Sequence, residues 1–290
     1  MKILVFGKNG QLGAELVHTL SALGEVVAFS SKELDVKNFS ALKNTVNTVK
    51  PNIIVNASAY TAVDRAEQEY ETAMQVNAHA PGVMAECAKN VNAVFIHYST
   101  DYVFDGEKKT PYVETDKTNP LNVYGQSKLE GEQAISQVGG VFLILRTSWV
   151  YSLRGDNFVT KILMWARQKE TLQVVTDQIG SPTWARALAN ITSKMISDST
   201  ANPIDYFLSK SGVYHLAGEG KVSRFDFARE ILRLDSTGKH VLKNLKPALT
   251  SDFPTPARRP LFTPLNCSHF ENTFGLTLPH WKDALKLALS

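Results

Sequence analysis

The first half of the chain alternates short apolar runs with amphipathic stretches. Apolar residues at spacings of three and four predict helices over Gln11–Ala22, Phe39–Val49, Tyr70–Lys89 and Tyr124–Ser136. Five nearly continuous apolar runs between them are typical of strands covered on both faces: Lys2–Phe6, Glu25–Phe29, Ile53–Asn56, Val94–Ser99 and Val141–Arg146. Strands that alternate with crossover helices predict an α/β fold with a doubly wound parallel sheet.

The pattern changes after about residue 151. Isolated helices, short strands and many prolines replace the regular alternation. We therefore expect one domain over residues 1–150 and a smaller α/β lobe over 151–290, some segments of which can return to the first domain. Ser223–Leu234 is predicted to be a capped helix, because Ser223 precedes it and Asp226 stands in the capping-box position.

A glycine-rich turn follows the first predicted strand. Gly7, Gly10 and Gly13 have the spacing GxxGxxG, with Gln11 and Leu12 between the last two. Glycines allow the backbone to approach a pyrophosphate, and the start of a helix stabilises phosphate charge. The strand before the turn and the helix after it favour a Rossmann-type dinucleotide site over a simple loop.

The end of the second predicted strand bears on cofactor choice. An acidic residue at this place usually accepts from the adenine ribose hydroxyls of NAD. Here Ser30 is followed by Ser31 and Lys32, so we expect NADPH to be accepted at least as well as NADH. Asp35 comes after the strand, where it can meet the adenine or simply cap a loop.

Tyr124 and Lys128 are four residues apart, which places both on one face of a helix. Thr100 follows the fourth predicted strand, at the sheet edge where open α/β folds bind ligands. Tyr124 can protonate the alkoxide that forms when a ketone is reduced, and we expect the Lys128 ammonium to lower the tyrosine pKa. Thr100 can hold the carbonyl oxygen. The alternative for Tyr124 and Lys128 is an exposed pair on a surface helix.

Several other features of the sequence argue against particular functions. His97 lies inside an apolar strand and is predicted to be a packed core residue, away from the catalytic end. Lys+Arg 31 against Asp+Glu 28, without basic stripes, disfavours nucleic acid as a partner. No apolar run is long enough for a bilayer, the Ile3–Phe6 run is too short for a signal peptide, and Cys87 and Cys267 fit reduced thiols. A cytoplasmic protein is expected.

Several blocks of the sequence resemble one family over nearly the whole chain. FGKNGQLG, HYSTDYVFDG, YGQSKLEGE, RTSWVY and PTPARRP are similar to the dTDP-4-dehydrorhamnose reductase family, which are extended short-chain dehydrogenases. The resemblance implies that the C4 ketone of dTDP-4-dehydro-β-L-rhamnose is reduced to dTDP-L-rhamnose by NAD(P)H, with Tyr124 as proton donor. It also implies that a set of residues lines the dinucleotide: Gly10, Gln11, Leu12, Asp35, Val36, Ala59, Tyr60 and Thr61.

The same resemblance assigns Thr100, Asp101 and Trp149 to the sugar nucleotide. An indole offers an apolar face to a deoxysugar and an N–H to a hydroxyl, although a core tryptophan is the alternative. Arg258 and Arg259 can pair with the substrate diphosphate, because guanidinium groups fit phosphate oxygens, or can be a surface dipeptide.

Some members of this family bind magnesium through glutamates at a dimer interface. Glu15 matches one such glutamate, but Arg186 stands where those members carry another. A cation site beside an arginine is electrostatically unfavourable. We therefore predict no metal, and a monomer or weak homodimer.

Two other functions remain open from the sequence. One is a sister reductase that acts on another 4-keto-6-deoxy nucleotide sugar or forms the other C4 epimer. The other is a non-catalytic NADP-binding regulator, because the regulatory subunit of methionine adenosyltransferase resembles the same family. Intact Thr100, Tyr124 and Lys128 favour the enzyme.

Overall fold

A computed structural model describes residues 1–290. Its strands are β1 (Lys2–Phe6), β2 (Glu25–Phe29), β3 (Ile53–Asn56), β4 (Val94–Thr100), β5 (Phe142–Thr147), β6 (Val150–Tyr151), β7 (Thr171–Val175), β8 (Ile179–Gly180), β9 (Thr183–Trp184), β10 (Gly212–His215), β11 (Val222–Ser223) and β12 (Asn244–Ala248). Its helices are α1 (Gln11–Leu20), α2 (Phe39–Val49), α3 (Val63–Ala66), α4 (Tyr70–Met74), α5 (Ala80–Asn90), α6 (Val123–Val138), α7 (Phe158–Ala166), α8 (Ala185–Ser197), α9 (Pro203–Leu208), α10 (Arg224–Leu234), α11 (Ser268–Phe274) and α12 (Trp281–Leu289).

Six strands form one parallel sheet in the order β10-β5-β4-β3-β1-β2. The predicted doubly wound α/β fold is therefore confirmed, with β1, β2 and β3 at their predicted bounds. The predicted helix over Tyr70–Lys89 is α4 and α5 joined by a π-helical turn, Gln75–His79. The strand order reverses between β1 and β3, and ligands of such folds bind at the carboxyl end of this switch point.

Helices cover both faces of the sheet. On one face, Leu16 of α1 and Leu188 of α8 pack with Ile3 and Val5 of β1. On the other, residues of α2, α5 and α6 pack with Leu4 and Phe6. Because side chains alternate along β1, the strand contributes to both cores, and each strand is an almost continuous apolar run.

Segments from the second half of the chain reach the first sheet. Strand β10 pairs with β5 in parallel, and α8 packs against α1. The other late elements surround a separate core that includes Tyr151, Phe227 and Trp281. The predicted cap of α10 is confirmed, since the Ser223 hydroxyl accepts from the Asp226 amide at 3.0 Å. None of the helices is long and apolar enough to cross a bilayer.

Candidate active site

The glycine turn after β1 is shaped by close backbone approach. Gly7 has a φ of +88°, which favours glycine, and its carbonyl accepts from the Gly10 amide at 2.9 Å. A Cβ on Gly13 would lie 2.0 Å from the Gly7 carbonyl oxygen, so only glycine fits there. Gly10 precedes α1 without a side-chain cap, which leaves the first amides of the helix for another acceptor.

A cavity of about 410 Å³ opens at the carboxyl ends of β1, β2 and β3. Most of the residues predicted to bind the dinucleotide line it: Gly7, Gly10, Ser30, Asp35, Val36, Ala59 and Tyr60. Leu12, Gly13 and Thr61 do not line it, and Leu12 is buried in the core. The Gln11 side chain accepts instead from Asn157 Nδ2 at 2.8 Å, and so links α1 to the later half of the chain.

A carboxylate that the sequence analysis missed lies at the end of β2. Glu33 accepts from the Ser30 amide at 2.9 Å and its hydroxyl at 2.7 Å, and pairs with Lys8 at 2.7 Å. Hydrogen bonds from Lys8 and then Ser30 lower the pKa of the Glu33 carboxyl to about 2. The expectation that this strand end has no carboxylate is therefore wrong, because the chain turns back and brings Glu33 to Ser30.

Asn77 is a second residue that the sequence did not reveal. It lies in the π-helical turn, is fully buried, and holds both sides of the Tyr60 peptide backbone, with Oδ1 accepting at 2.8 Å and Nδ2 donating at 3.0 Å. The Asn77 amide also donates to the Ser127 hydroxyl at 3.0 Å. It thus fixes the loop after β3 against α6, and π-helical turns are frequent at functional sites.

Tyr124 and Lys128 lie on α6, and Thr100 ends β4. Asn122 caps the helix and donates to the Arg258 carbonyl at 2.8 Å, which holds the start of α6 against the late PTPARRP loop. The Thr100 hydroxyl lies near the Tyr124 phenol, and Tyr102 meets the Tyr124 ring edge-on with centroids 5.7 Å apart. The structure therefore brings the three predicted catalytic residues to one end of the sheet.

The electrostatics of Tyr124 differ from the sequence-based expectation. Burial raises the pKa of the Tyr124 phenol, and the nearby Thr100 hydroxyl offsets only part of this rise. We expected Lys128 to lower this pKa, and that expectation is wrong for the ligand-free protein. Tyr124 is consequently held in its protonated form.

Lys128 points into the protein, below Tyr124. Its Nζ donates to the Tyr98 carbonyl at 2.6 Å and lies 3.0 Å from Nε2 of His97. Burial lowers the pKa of Lys128 to about 7. His97 is a fully buried core residue, as predicted, but the prediction that it packs away from the catalytic groups is wrong. The alternation of side chains along β4 predicts which face of the sheet His97 lies on, but it does not predict that Lys128 of α6 is its neighbour.

Asp101 is buried beneath the site rather than exposed to it. Its carboxylate accepts from hydroxyls of Thr100 at 3.0 Å, Ser148 at 2.8 Å and Thr263 at 2.6 Å. Burial raises the pKa of Asp101, and these three donors offset part of the rise. Asp101 thereby joins β4, the end of β5 and the last part of the chain.

Trp149 and Arg224 form a stacked pair that the sequence did not predict. The Arg224 guanidinium lies 3.5 Å from the Trp149 ring centroid and 4.7 Å from that of Phe158. Trp149 has a φ of +45°, an unusual backbone for a bulky residue and one that often marks functional sites. A Cβ on Gly180 would lie 2.4 Å from the indole, so this glycine makes room for the ring.

A positively charged cavity of about 460 Å³ adjoins this pair. Arg224, Arg259 and Lys161 line it, and Arg224 pairs with no carboxylate. Burial lowers the pKa of Arg224 to about 10, which still leaves it charged at neutral pH. The cavity can therefore hold an anionic group.

The two predicted diphosphate arginines have different surroundings. Arg259 is engaged in a bidentate pair with Asp64, at 3.0 and 2.7 Å. Arg258 is exposed, and lines a separate cavity of about 500 Å³ together with Arg259.

Glu15 and Arg186, the two residues on which the prediction of no metal site depends, form an ion pair within the chain. The Arg186 guanidinium binds the Glu15 carboxylate directly, across the packed helices α1 and α8. No group of three or more His, Cys, Asp or Glu side chains is placed to hold a metal ion.

Comparison with known proteins identifies the family. The model of the RmlD substrate binding domain matches residues 1–290. The chain belongs to the RmlD family. A dTDP-4-dehydrorhamnose reductase of Burkholderia thailandensis is 42% identical over 293 residues, covering 100% of this chain and 98% of the relative. The resemblance inferred from the sequence blocks is thus confirmed.

Solved structures of RmlD relatives share the whole fold. A dTDP-4-dehydrorhamnose reductase from Clostridium acetobutylicum is 39% identical, with a TM-score of 0.91 over 100% of this chain and 98% of that chain. A Bacillus anthracis enzyme of the same name, in complex with NADP, is 33% identical, with a TM-score of 0.88 over 99% and 98%. Both likenesses extend across the first and second halves of the chain.

Proposed function

We propose that this protein reduces the C4 ketone of dTDP-4-dehydro-β-L-rhamnose to dTDP-L-rhamnose with NADPH or NADH. The observation that carries the proposal is the position of Thr100 at the end of β4 and of Tyr124 at the start of α6, at the sheet edge where the glycine-lined cavity opens. The names of the full-length relatives support the substrate, and the NADP complex of the Bacillus anthracis enzyme supports the cofactor.

The residues of the 410 Å³ cavity fit a dinucleotide. Gly7, Gly10 and the uncapped start of α1 are suited to a pyrophosphate, while Asp35 and Val36 are suited to the adenosine end. A nicotinamide cofactor bound here supplies the hydride. We propose that Gln11, Leu12, Gly13 and Thr61 act through the backbone and packing of the two loops that border the cavity.

Tyr124 is the proposed general acid. Its raised pKa keeps the proton on the phenol at neutral pH, ready for the developing alkoxide. Thr100 holds the carbonyl oxygen by its hydroxyl, and Lys128 below holds the nicotinamide ribose. In the ligand-free protein the single proton of the Thr100 hydroxyl is donated to the Asp101 carboxylate at 3.0 Å. We propose that this hydroxyl turns from Asp101 to the carbonyl oxygen when the substrate binds, so that Asp101 acts on the substrate through Thr100.

Trp149 and Arg224 are proposed to bind the sugar nucleotide. The indole suits the deoxysugar ring, and the unpaired guanidinium suits the diphosphate. Arg258 is proposed to reach the same ligand from the adjoining cavity, since Arg259 lines both cavities.

We further propose that residues 1–150 bind the cofactor and residues 151–290 mainly bind the sugar nucleotide, with α8 and β10 completing the first part. A monomer or weak homodimer is supported by the Glu15–Arg186 pair, which occupies both side chains within one chain. A cytoplasmic location is proposed because the two cysteines are unpaired, as is usual where thiols stay reduced.

The test is NADPH and NADH oxidation by the purified protein, with dTDP-4-dehydro-L-rhamnose generated in the reaction mixture and the product examined by NMR. Oxidation with formation of dTDP-L-rhamnose is expected. Oxidation that yields the other C4 epimer would overturn the assigned product. Cofactor binding without oxidation on any 4-keto-6-deoxy nucleotide sugar would overturn the enzymatic function in favour of a regulator.

A further inference from the structure

A chain of buried polar side chains lies beneath the catalytic helix. Asn56 ends β3, His97 lies within β4, and Lys128 lies on α6, and all three are at most 1% exposed. Asn56 Nδ2 is 3.0 Å from His97 Nδ1, and His97 Nε2 is 3.0 Å from Lys128 Nζ. Buried polar groups at such distances must match donors to acceptors, so the chain defines where its protons lie.

The orientation of Asn56 is set by Ser58. The Ser58 backbone N–H can only donate, and it lies 3.0 Å from Asn56 Oδ1, which also accepts from the Ser58 hydroxyl at 2.6 Å. The NH₂ group of Asn56 therefore faces His97 and donates to Nδ1. Nδ1 must then carry a lone pair and no proton.

The tautomer of His97 follows from this contact. A neutral imidazole with an unprotonated Nδ1 carries its proton on Nε2, and this N–H points at Lys128 Nζ. An ammonium group has donors only, so a charged Lys128 would place two donors face to face. A neutral amine can accept from Nε2–H and still donate to the Tyr98 carbonyl.

We propose that Asn56 and His97 hold Lys128 as a neutral amine in the ligand-free protein, so that no cation lies beneath Tyr124 before ligands bind. Asn56 and His97 are positioning residues, since neither touches the reacting atoms. The bearing of this arrangement on Tyr124 rests on the proposed function, whereas the protonation of Lys128 does not.

The charges around Lys128 agree with this assignment. Glu132, one turn along α6, raises the pKa of Lys128, but Arg146 of β5 neutralises Glu132 through bonds of 2.6 to 3.2 Å. From β4, burial lowers the pKa of His97 well below its usual range, so the imidazole is neutral, and Tyr98 offers its carbonyl. Asn77 packs against the other side of α6, and its amide has no charge that could shift the pKa of Lys128. Burial dominates and lowers the pKa of Lys128 to about 7, so the neutral amine is the main form above neutral pH.

Two NMR measurements on the wild-type, ligand-free protein test the proposal without turnover. Ring-nitrogen shifts of His97, assigned by loss of its signal in His97→Gln, are expected to show a proton on Nε2 and none on Nδ1. The Cε signal of Lys128, assigned with Lys128→Arg, is expected to titrate near 7, well below the ~10.4 of an exposed lysine. A proton on Nδ1, or titration of Lys128 together with the surface lysines, would overturn the proposal.

Asn56→Asp sharpens the test because it reverses the donors and acceptors in the hydrogen bonds of Asn56, His97 and Lys128. A carboxylate can still accept from Ser58, but it must also accept from Nδ1–H, which leaves the Nε2 lone pair for an ammonium. We expect the His97 proton to move to Nδ1 and the titration of Lys128 to shift upward. An unchanged tautomer in a folded variant would contradict the mechanism. No measurement here uses the sugar nucleotide, so a protein without reductase activity can still give these results. If these results fail, the proposed reductase activity is likewise unaffected.

Discussion

The cofactor side and the sugar side of the site are built in different ways. The cofactor side consists of loops that follow β1, β2 and β3, where backbone atoms and small residues shape the cavity. The sugar side consists of individual side chains, Trp149, Phe158 and Arg224, that come from separate elements. Asp101 and its three hydroxyl donors lie beneath the second side and join β4 to the end of β5 and to the last part of the chain.

This difference predicts how each side responds to substitution. A cavity made of backbone keeps its shape when one exposed side chain changes, so effects on the cofactor are expected to be small. A surface made of a few stacked and charged groups loses a distinct interaction with each change. Tyr124 lies where the two sides meet, and its loss should therefore have the largest effect on catalysis.

Tyr124→Phe removes the proposed proton donor and keeps the ring that packs against Tyr102. We expect kcat to fall by about a hundred- to ten-thousand-fold, the usual contribution of a general acid. NADPH affinity, measured by fluorescence titration, should stay unchanged. Tyr102→Phe is the matched control, because it removes a neighbouring buried phenol and likewise keeps the packing of the two rings. An unchanged kcat in Tyr124→Phe would remove Tyr124 from its assigned role.

Arg224→Met separates the two sides of the site. Loss of a charged hydrogen-bond donor costs about 1.5–3 kcal/mol, so the KM for the sugar nucleotide should rise about 10- to 100-fold. NADPH affinity should not change, while Arg224→Lys should recover part of the loss. Arg229→Met, on the exposed side of the same helix, is the control. If NADPH affinity fell as much as affinity for the sugar nucleotide, Arg224 would not act on the sugar side alone.

Gly180→Ala tests whether the position of Trp149 matters. The added methyl would lie 2.4 Å from the indole and force the ring to move. Overpacking of this kind costs about 1–3 kcal/mol, so we expect a lower Tm together with a raised KM for the sugar nucleotide. Gly212→Ala is the control, since nothing lies within 4 Å of a Cβ at that position. A KM equal to that of the wild type would exclude Trp149 as a substrate contact.

The same contrast explains how far the sequence alone predicts the site. The glycine turn and the Tyr124–Lys128 spacing are local patterns, and the structure brings both to the predicted sheet edge. Arg224 could not be predicted, because it meets Trp149 only through the packing of α10 against the end of β5. Likewise, the burial pattern of β4 shows that His97 is internal, but the partner on α6 depends on how that helix lies across the sheet.

Glu33→Gln tests the cofactor side, where the smallest effect is expected. The Glu33 carboxylate at the end of β2 opposes a 2′-phosphate and occupies Lys8. A neutral amide removes the repulsion and releases the lysine, so the ratio of kcat/KM for NADPH to that for NADH should rise. Exposed charge pairs contribute little, so the change in this ratio should be at most about fivefold. Glu25→Gln, an exposed change at the start of the same strand, should leave the ratio unaltered. A ratio that falls in Glu33→Gln would mean that the carboxylate assists the phosphate-bearing cofactor through Lys8, and that this side also depends on single side chains.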